Sequence, residues 1–270
     1  MGDGSAGSGS LLERATTYPY DIPGSCYALA CGGVLPLVGI DVSSALGCEV
    51  LEDGRVRTLR EWATSRDMNV DGLDVPELLL AYGSNASVSG LSRKLADCLQ
   101  TSLVPVAKAT LSDFDVVYSA HLTSYGAVPA TLQHSPGSVT TAYVLVTSPA
   151  QCGLLRRTEP NYHFAELTEV DMRLELGPRL STISAVISRH GALTLNGTEV
   201  GLAAVETHNR RFPAASQHEV LGAVRDIVAP GADFDHFVLE NVRNPELARR
   251  RSEELKRTAR PFAYESWRVA

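Results

Sequence analysis

The apolar run Leu79-Leu80-Ala81 breaks off into Tyr82-Gly83-Ser84-Asn85-Ala86, a glycine-containing polar turn, and a helical pattern follows. A strand ending in this way presents backbone N–H groups and a helix N-terminus at one place, a receptor for a carboxylate or another anionic acceptor. The turn is therefore a candidate binding loop, and it requires a fold that mixes strands and helices. The same strand, turn and helix also occur in ordinary α/β and α+β domains, so the pattern alone names no ligand.

The segments that follow the turn add an order. Val104-Pro105-Val106-Ala107 and Leu111-Ser112-Asp113-Phe114-Asp115-Val116-Val117-Tyr118 are extended apolar stretches. Ala127 to Leu132 leads to Ser135-Pro136-Gly137, then comes Ala142-Tyr143-Val144-Leu145-Val146, and a helical stretch reaches Leu155-Arg156-Arg157-Thr158-Glu159 before Pro160-Asn161-Tyr162-His163-Phe164. Over about Val75 to Asp171 this order resembles the gamma-glutamylcyclotransferase-like family. There a Tyr-Gly-Ser-Asn loop is followed by a strand, a strand leading to a Ser-Pro-Gly type turn, another strand, and a helix whose last turn carries a catalytic glutamate.

The resemblance implies an α+β fold, a mixed sheet or small barrel with helices, extended here by N- and C-terminal additions. It places the substrate loop on Tyr82, Gly83, Ser84 and Asn85 and the acid/base on Glu159. The implied activity is cyclisation or cleavage of a gamma-glutamyl-type amide, in which the alpha-amine attacks the gamma-carbonyl and releases 5-oxoproline and an amine. Such chemistry needs a flexible chain held in a folded pose, one carboxylate to move the proton, and loop amides to receive the oxyanion. No cofactor and no metal is implied. Ala86 stands where the family commonly has a large aliphatic residue, and Arg156 and Arg157 stand where it frequently has acidic ones. Two cations aimed at Glu159 would weaken it as a base; aimed elsewhere, they suit an anionic part of a substrate. These departures leave a second expectation open, a non-catalytic binding module for an amino-acid-like ligand.

Taken singly, the other candidates have plainer explanations. Glu159 without the family is a solvated surface charge. Tyr162 and Phe164 alternate as residues packing on one face of a strand. Tyr125, in Ser124-Tyr125-Gly126 before a buried-looking strand, either reaches a pocket beside the loop or packs. His121, His134 and His163 are too scattered to spell a metal site, and neither His-x-x-x-His nor Cys-x-x-Cys spacing occurs.

With 270 residues, 44% of them hydrophobic and 20% charged, the chain can bury a full core. A net charge of -7 disfavours nucleic acid and anionic membrane as partners, and the partner that the resemblance implies is a small-molecule substrate. The basic cluster Arg249-Arg250-Arg251 lies among Glu253, Glu254 and Lys256, as on a solvent-facing helix. The run Val34 to Val38 is too short to cross a bilayer and contains Pro36. Met1 to Ser10 carries neither basic nor apolar signal regions. Five cysteines at irregular spacing fit free thiols in a reducing compartment, so the expected location is cytoplasmic.

The expected organisation is a flexible tail over 1–17, an N-terminal arm over 18–74, the gamma-glutamylcyclotransferase-like domain over 75–180 and a C-terminal lobe over 181–270. In the arm, Tyr18 to Gly24 is extended, short strands or lid-like arms laid against the central domain fill Tyr27 to Ala30 and Val34 to Ile40 around a Gly32-Gly33 turn, Arg57 to Met68 forms a helix, and Asn69 to Asp74 links onward. In the lobe, Asn196-Gly197 turns a hairpin. Ser216 with Glu219 boxes the start of a helix that Pro230-Gly231 stops, and Asn244-Pro245 begins a second.

Overall fold

The computed structural model describes residues 4–68 and 70–270. The first three residues of the expected tail and Asn69 of the expected linker lie outside them. Helix α1 spans Gly4–Thr16, so the stretch expected as a tail contains a helix. Strands β1 (Tyr27–Ala30) and β2 (Gly33–Gly39) occupy the expected apolar runs and pair antiparallel, joined by Cys31 and Gly32 at φ 50° and 80°, one position before the expected Gly32-Gly33 turn. A two-residue turn with both φ positive matches the right-handed twist of the strands it joins. β3 (Glu49–Glu52) and β4 (Arg55–Thr58) use the same device at Asp53 and Gly54. Thr58 then caps α2 (Leu59–Thr64), accepting the Glu61 N–H while the Glu61 carboxylate accepts the Thr58 N–H.

β5 (Glu77–Ala81), α3 (Val88–Lys94), β6 (Leu103–Tyr118), β7 (Ala130–Thr147), α4 (Pro149–Arg157), β8 (Tyr162–Leu174) and β9 (Arg179–Ser188) come next. The two apolar stretches from Val104 to Tyr118 are a single strand. Ser135-Pro136-Gly137 is not a turn but lies inside β7, with Pro136 and Gly137 exposed and Gly137 at φ 85°. Proline is tolerated in a strand where its missing N–H leaves no partner wanting, and a glycine at positive φ lets a strand bulge without ending.

Short strands β10 (Thr194–Leu195) and β11 (Thr198–Glu199) make the expected hairpin, with Asn196 and Gly197 at φ 54° and 80°. After β12 (Gly201–Leu202), β13 (Thr207–His208) and β14 (Ala214–Ala215) come three helices, α5 (Gln217–Val228), α6 (Phe234–Arg243) and α7 (Pro245–Lys256), and then β15 (Trp267–Val269). The caps of α5 and α7 are those expected, Ser216 with Glu219 and Asn244 before Pro245. α6, capped by Asp233, is an addition to the two helices expected in this region.

In the main sheet β7, β5, β9, β8 and β6 are neighbours in that order and β6 also pairs with β7, so these five strands close into a barrel. β5 runs antiparallel to β7 and parallel to β9, which makes the sheet mixed. The α+β expectation of a mixed sheet or small barrel with helices holds. Among the described residues no helix is long and apolar enough to cross a membrane.

The chain forms two compact units. One holds the chain up to Pro19, Phe114–Ser138 and Ile187–Tyr264; the other holds Tyr20–Asp113, Val139–Val186 and Glu265–Ala270. The units interleave in sequence because β6 and β7 each contribute residues to both. Inside the second, Tyr27, Leu29, Leu79, Leu91, Leu95, Val104, Leu145 and Leu155 are buried in one cluster. Leu91 and Leu95 are one helical turn apart and fully buried, and each fastens α3 by about 1.5–3 kcal/mol. Inside the first, Asp115 is fully buried against Arg210 Nε at 3.1 Å and the Thr207 hydroxyl at 2.9 Å.

Candidate functional site

The loop begins where β5 leaves its partner. Leu79, Leu80 and Ala81 pair with Leu145, Val144 and Tyr143 of β7, and the next residue, Tyr82, is buried with its hydroxyl donating to the Val186 carbonyl. Tyr82 therefore ties the loop to the end of β9. Ser84 to Ala86 make one tight turn, in which Ala86 N–H donates to Gly83 O at 2.9 Å and Ser87 N–H to Ser84 O at 3.2 Å. The Tyr27 hydroxyl fixes the Ala86 carbonyl from below at 2.8 Å. Ser87 caps α3 by accepting the Gly90 N–H at 3.0 Å, and its hydroxyl donates to Ser84 O at 2.9 Å. Among the described residues, the backbone N–H groups of Gly83, Ser84 and Asn85 take no part in these bonds.

Gly90 sets how closely α3 approaches the loop. A Cβ at this position would stand 1.9 Å from the Ser84 carbonyl oxygen, a backbone atom. At an exposed helical site a glycine-to-alanine change stabilises by up to about 1 kcal/mol. Here the sign reverses: Gly90→Ala is expected to cost about 1–3 kcal/mol as the turn is pushed aside. Denaturant unfolding of that variant checks it, with a lower midpoint expected at an unchanged slope.

Glu159 arrives from the other side of the sequence. Ser148 and Gln151 form a capping box at the start of α4, Pro149 takes the first helical position, and the helix ends at Arg157 with Thr158 as its C-cap. Glu159 thus follows the helix instead of sitting in its last turn. Its N–H donates to Arg156 O at 3.2 Å and its carbonyl accepts the Tyr162 N–H at 3.1 Å. These bonds hold the carboxylate over the loop, where Asn85 Nδ2 donates to Glu159 Oε1 at 3.1 Å. The structure therefore brings Asn85 and Glu159 together across 74 positions of sequence.

A third side chain completes the group. Lys94 Nζ donates to Asn85 Oδ1 at 2.6 Å and forms an ion pair with Glu159 Oε1. The side chains of Lys94 and Glu159 are 18% and 14% exposed, and Asn85 is buried, so the cluster is mostly shielded while retaining a face to solvent. Glu159 Oε2 carries none of these bonds.

The sequence reading did not single out Lys94. The signal was the helical period: Gly90 and Lys94 lie four apart on one face of α3, and the Gly90 face rests on the Ser84 carbonyl. Of the cations it did consider, neither side chain is bonded to the Glu159 carboxylate among the described contacts. Arg156 stands 4.0 Å from Glu77 and its guanidinium lies 4.6 Å over the Phe164 ring, while Arg157 is exposed.

Tyr125 belongs to the other compact unit, where the Arg14 guanidinium lies 4.7 Å over its ring. In that unit His121 is buried, with Nδ1 2.7 Å from the Ser119 hydroxyl and its ring stacked on His190 at 4.6 Å. The Ser119 hydroxyl is also 2.6 Å from that of Ser188. Burial drives the His121 pKa down from 6.5 to about 3, with the His190 charge adding to the effect. His134 packs among Phe114 and Tyr264, and His163 lies near Trp267. Among the described residues no three His, Cys, Asp or Glu side chains gather as a metal site, and all five cysteines are free.

No protein-family model matches the chain, and no curated protein matches it significantly. Two solved structures are similar in part. One, described as a gamma-glutamyl cyclotransferase, is 20% identical over 42% of this chain and 66% of its own, with a TM-score of 0.33. The other, an uncharacterized protein from Homo sapiens, is 16% identical over 72% of this chain and 94% of its own, again with a TM-score of 0.33.

Proposed function

We propose that this protein is a small-molecule enzyme that cyclises a gamma-glutamyl-type amide, releasing 5-oxoproline and an amine. The observation that carries the proposal is the hydrogen bond between Asn85 of the Tyr82-Gly83-Ser84-Asn85 loop and Glu159. The two features for which the sequence resembles gamma-glutamylcyclotransferases thus meet at one spot.

In the proposed reaction the loop from Tyr82 to Asn85 holds the polar end of the substrate. Tyr82 acts through its tether to Val186, and Asn85 through its grip on the Glu159 carboxylate. Oε2 of Glu159 takes a proton from the substrate's ammonium, and the freed amine attacks the gamma-carbonyl. A carbon–nitrogen bond forms, the carbonyl oxygen gains charge, and the amides of Gly83 and Ser84 face that charge. Glu159 passes that proton to the departing nitrogen as the original amide bond breaks, the ring nitrogen then gives up its second proton, and the released amine takes it, so no net proton is gained or lost. Holding nucleophile and electrophile in one folded chain supplies much of the acceleration.

Incubation of the purified protein with a panel of gamma-glutamyl amines and peptides, followed by mass spectrometry, tests the proposal. 5-Oxoproline is the expected product, and its absence from every incubation would contradict the enzyme. One observation favours a second reading, a binding module for an amino-acid-like ligand: Glu159 is already ion-paired to Lys94. Panel members that bind and are recovered intact would select it.

A further inference from the structure

We propose that Lys94 is a positioning residue of the reaction: it fixes which way the Asn85 amide faces and, through that amide, which oxygen of Glu159 is left to move the proton. The inference rests on the cyclisation reading above and concerns how that site is kept in order.

An asparagine amide carries an acceptor at one end and donors at the other, and the two ends are nearly the same size. Turned one way, Asn85 Nδ2 donates to Glu159 Oε1 at 3.1 Å. Turned the other way, it would set Oδ1 against the carboxylate, acceptor against acceptor. Lysine has donors only. Because Lys94 Nζ donates to Asn85 Oδ1 at 2.6 Å, the reversed amide would also turn its N–H groups toward an ammonium, and both neighbours favour the same orientation. Lys94 pairs with Glu159 Oε1 as well, which closes a ring of three side chains. Both donors thus fall on Oε1, and Oε2 is left for the proton.

The ring is firmly mounted. Ser87 caps α3, Gly90 rests on the Ser84 carbonyl, and Leu91 and Leu95, which flank Lys94 in sequence, are fully buried. Ordering a long lysine side chain costs conformational entropy that an exposed ion pair repays poorly. Here the two charged side chains are only 18% and 14% exposed, so their attraction is less screened. A lysine that only neutralised Glu159 would have no need of Asn85.

The test compares the full chain as wild type, Lys94→Met, Lys94→Arg, Asn85→Ala and the Lys94→Met, Asn85→Ala double variant on one gamma-glutamyl amide. Lys94→Met is expected to lower kcat for 5-oxoproline release by about 10- to 100-fold, the scale of a misplaced reacting group, with KM within a few-fold. Lys94→Arg keeps charge and donors in a different shape and should recover part of kcat. In the Asn85→Ala background the same Lys94→Met change should cost much less, because the amide it orients is gone. A kcat within about twofold of wild type in Lys94→Met, a loss confined to KM, or losses that multiply in the double variant overturns the role of Lys94 and leaves cyclisation intact. Should Lys94→Met fail to fold, Lys94→Gln decides by the same readouts, since Gln has an acceptor of its own and can satisfy either orientation of Asn85.

A second measurement needs no turnover. The NMR signal of the Asn85 side-chain amide, identified by its loss in Asn85→Ala, should exchange with solvent about tenfold faster or more in Lys94→Met than in wild type. Unchanged exchange overturns the proposal. Faster exchange in a protein that releases no 5-oxoproline from any gamma-glutamyl amide supports the orienting role of Lys94 and contradicts cyclisation.

Discussion

Replacing Glu159 by Gln is expected to lower the rate of 5-oxoproline release by about two to four orders of magnitude, the usual contribution of a positioned acid/base. The substitution keeps the shape of the side chain. A Gln carbonyl oxygen still accepts from Asn85 Nδ2 and Lys94 Nζ, the partners that Oε1 has in the structure. What is lost is the second carboxylate oxygen, which takes the proton from the attacking ammonium and returns it to the leaving amine. The loss should therefore fall on kcat more than on KM. Lys94 loses its counter-charge but keeps solvent contact, so the variant should remain folded by circular dichroism. Turnover within a few-fold of wild type would remove Glu159 from the mechanism.

The second large effect concerns stability in acid. His121 is buried in the unit that contains the three C-terminal helices, and its pKa falls from 6.5 to about 3 because burial disfavours the imidazolium. An unfolded chain takes up this proton below about pH 6.5 and the folded chain does not. The stabilising contribution is complete above pH 6.5 and is lost progressively as pH falls toward 3, on the order of 4–5 kcal/mol in all. The half-buried His190, whose pKa is also lowered chiefly by burial, adds in the same direction. Asp115 works the other way: burial raises its pKa despite Arg210 and Thr207, so protonation costs the folded chain less there.

Urea unfolding across the range from 6.5 toward 3 should show midpoints falling steeply for wild type and less steeply for His121→Asn. Asn retains an acceptor near the Ser119 hydroxyl and has no proton to gain. Equal slopes in the two proteins would show that His121 does not govern acid stability.

Much of the fold was legible because its signals are local. Positive φ at Asn196-Gly197 follows from residues that tolerate it, and the caps at Ser216 and Asn244 need only a neighbouring N–H; the first turn falls on Cys31-Gly32 in place of the expected Gly32-Gly33, because Cys31 has no local signal for its positive φ. α6 escaped notice because its ten residues lie between Pro230-Gly231 and Asn244-Pro245, where the breakers outweigh a short apolar stripe at Phe234, Phe237 and Val238. Pro136-Gly137 misled in the opposite sense, since a strong turn signal lies within a continuous strand.

The site divides in the same way. Loop and glutamate were readable as separate segments. Their contact, the reach of Tyr82 to Val186 and the arrival of Lys94 at Glu159 span 74, 104 and 65 positions and exist only once the sheet has formed. The cation paired with Glu159 is Lys94, while Arg156, close to it in sequence, stands beside Glu77.

The most direct measurement is product analysis of a gamma-glutamyl amide turned over in heavy-oxygen water. Attack by the substrate's own amine yields 5-oxoproline free of solvent oxygen, as the account predicts. Glutamate carrying the heavy oxygen would show that water is the nucleophile and would contradict it.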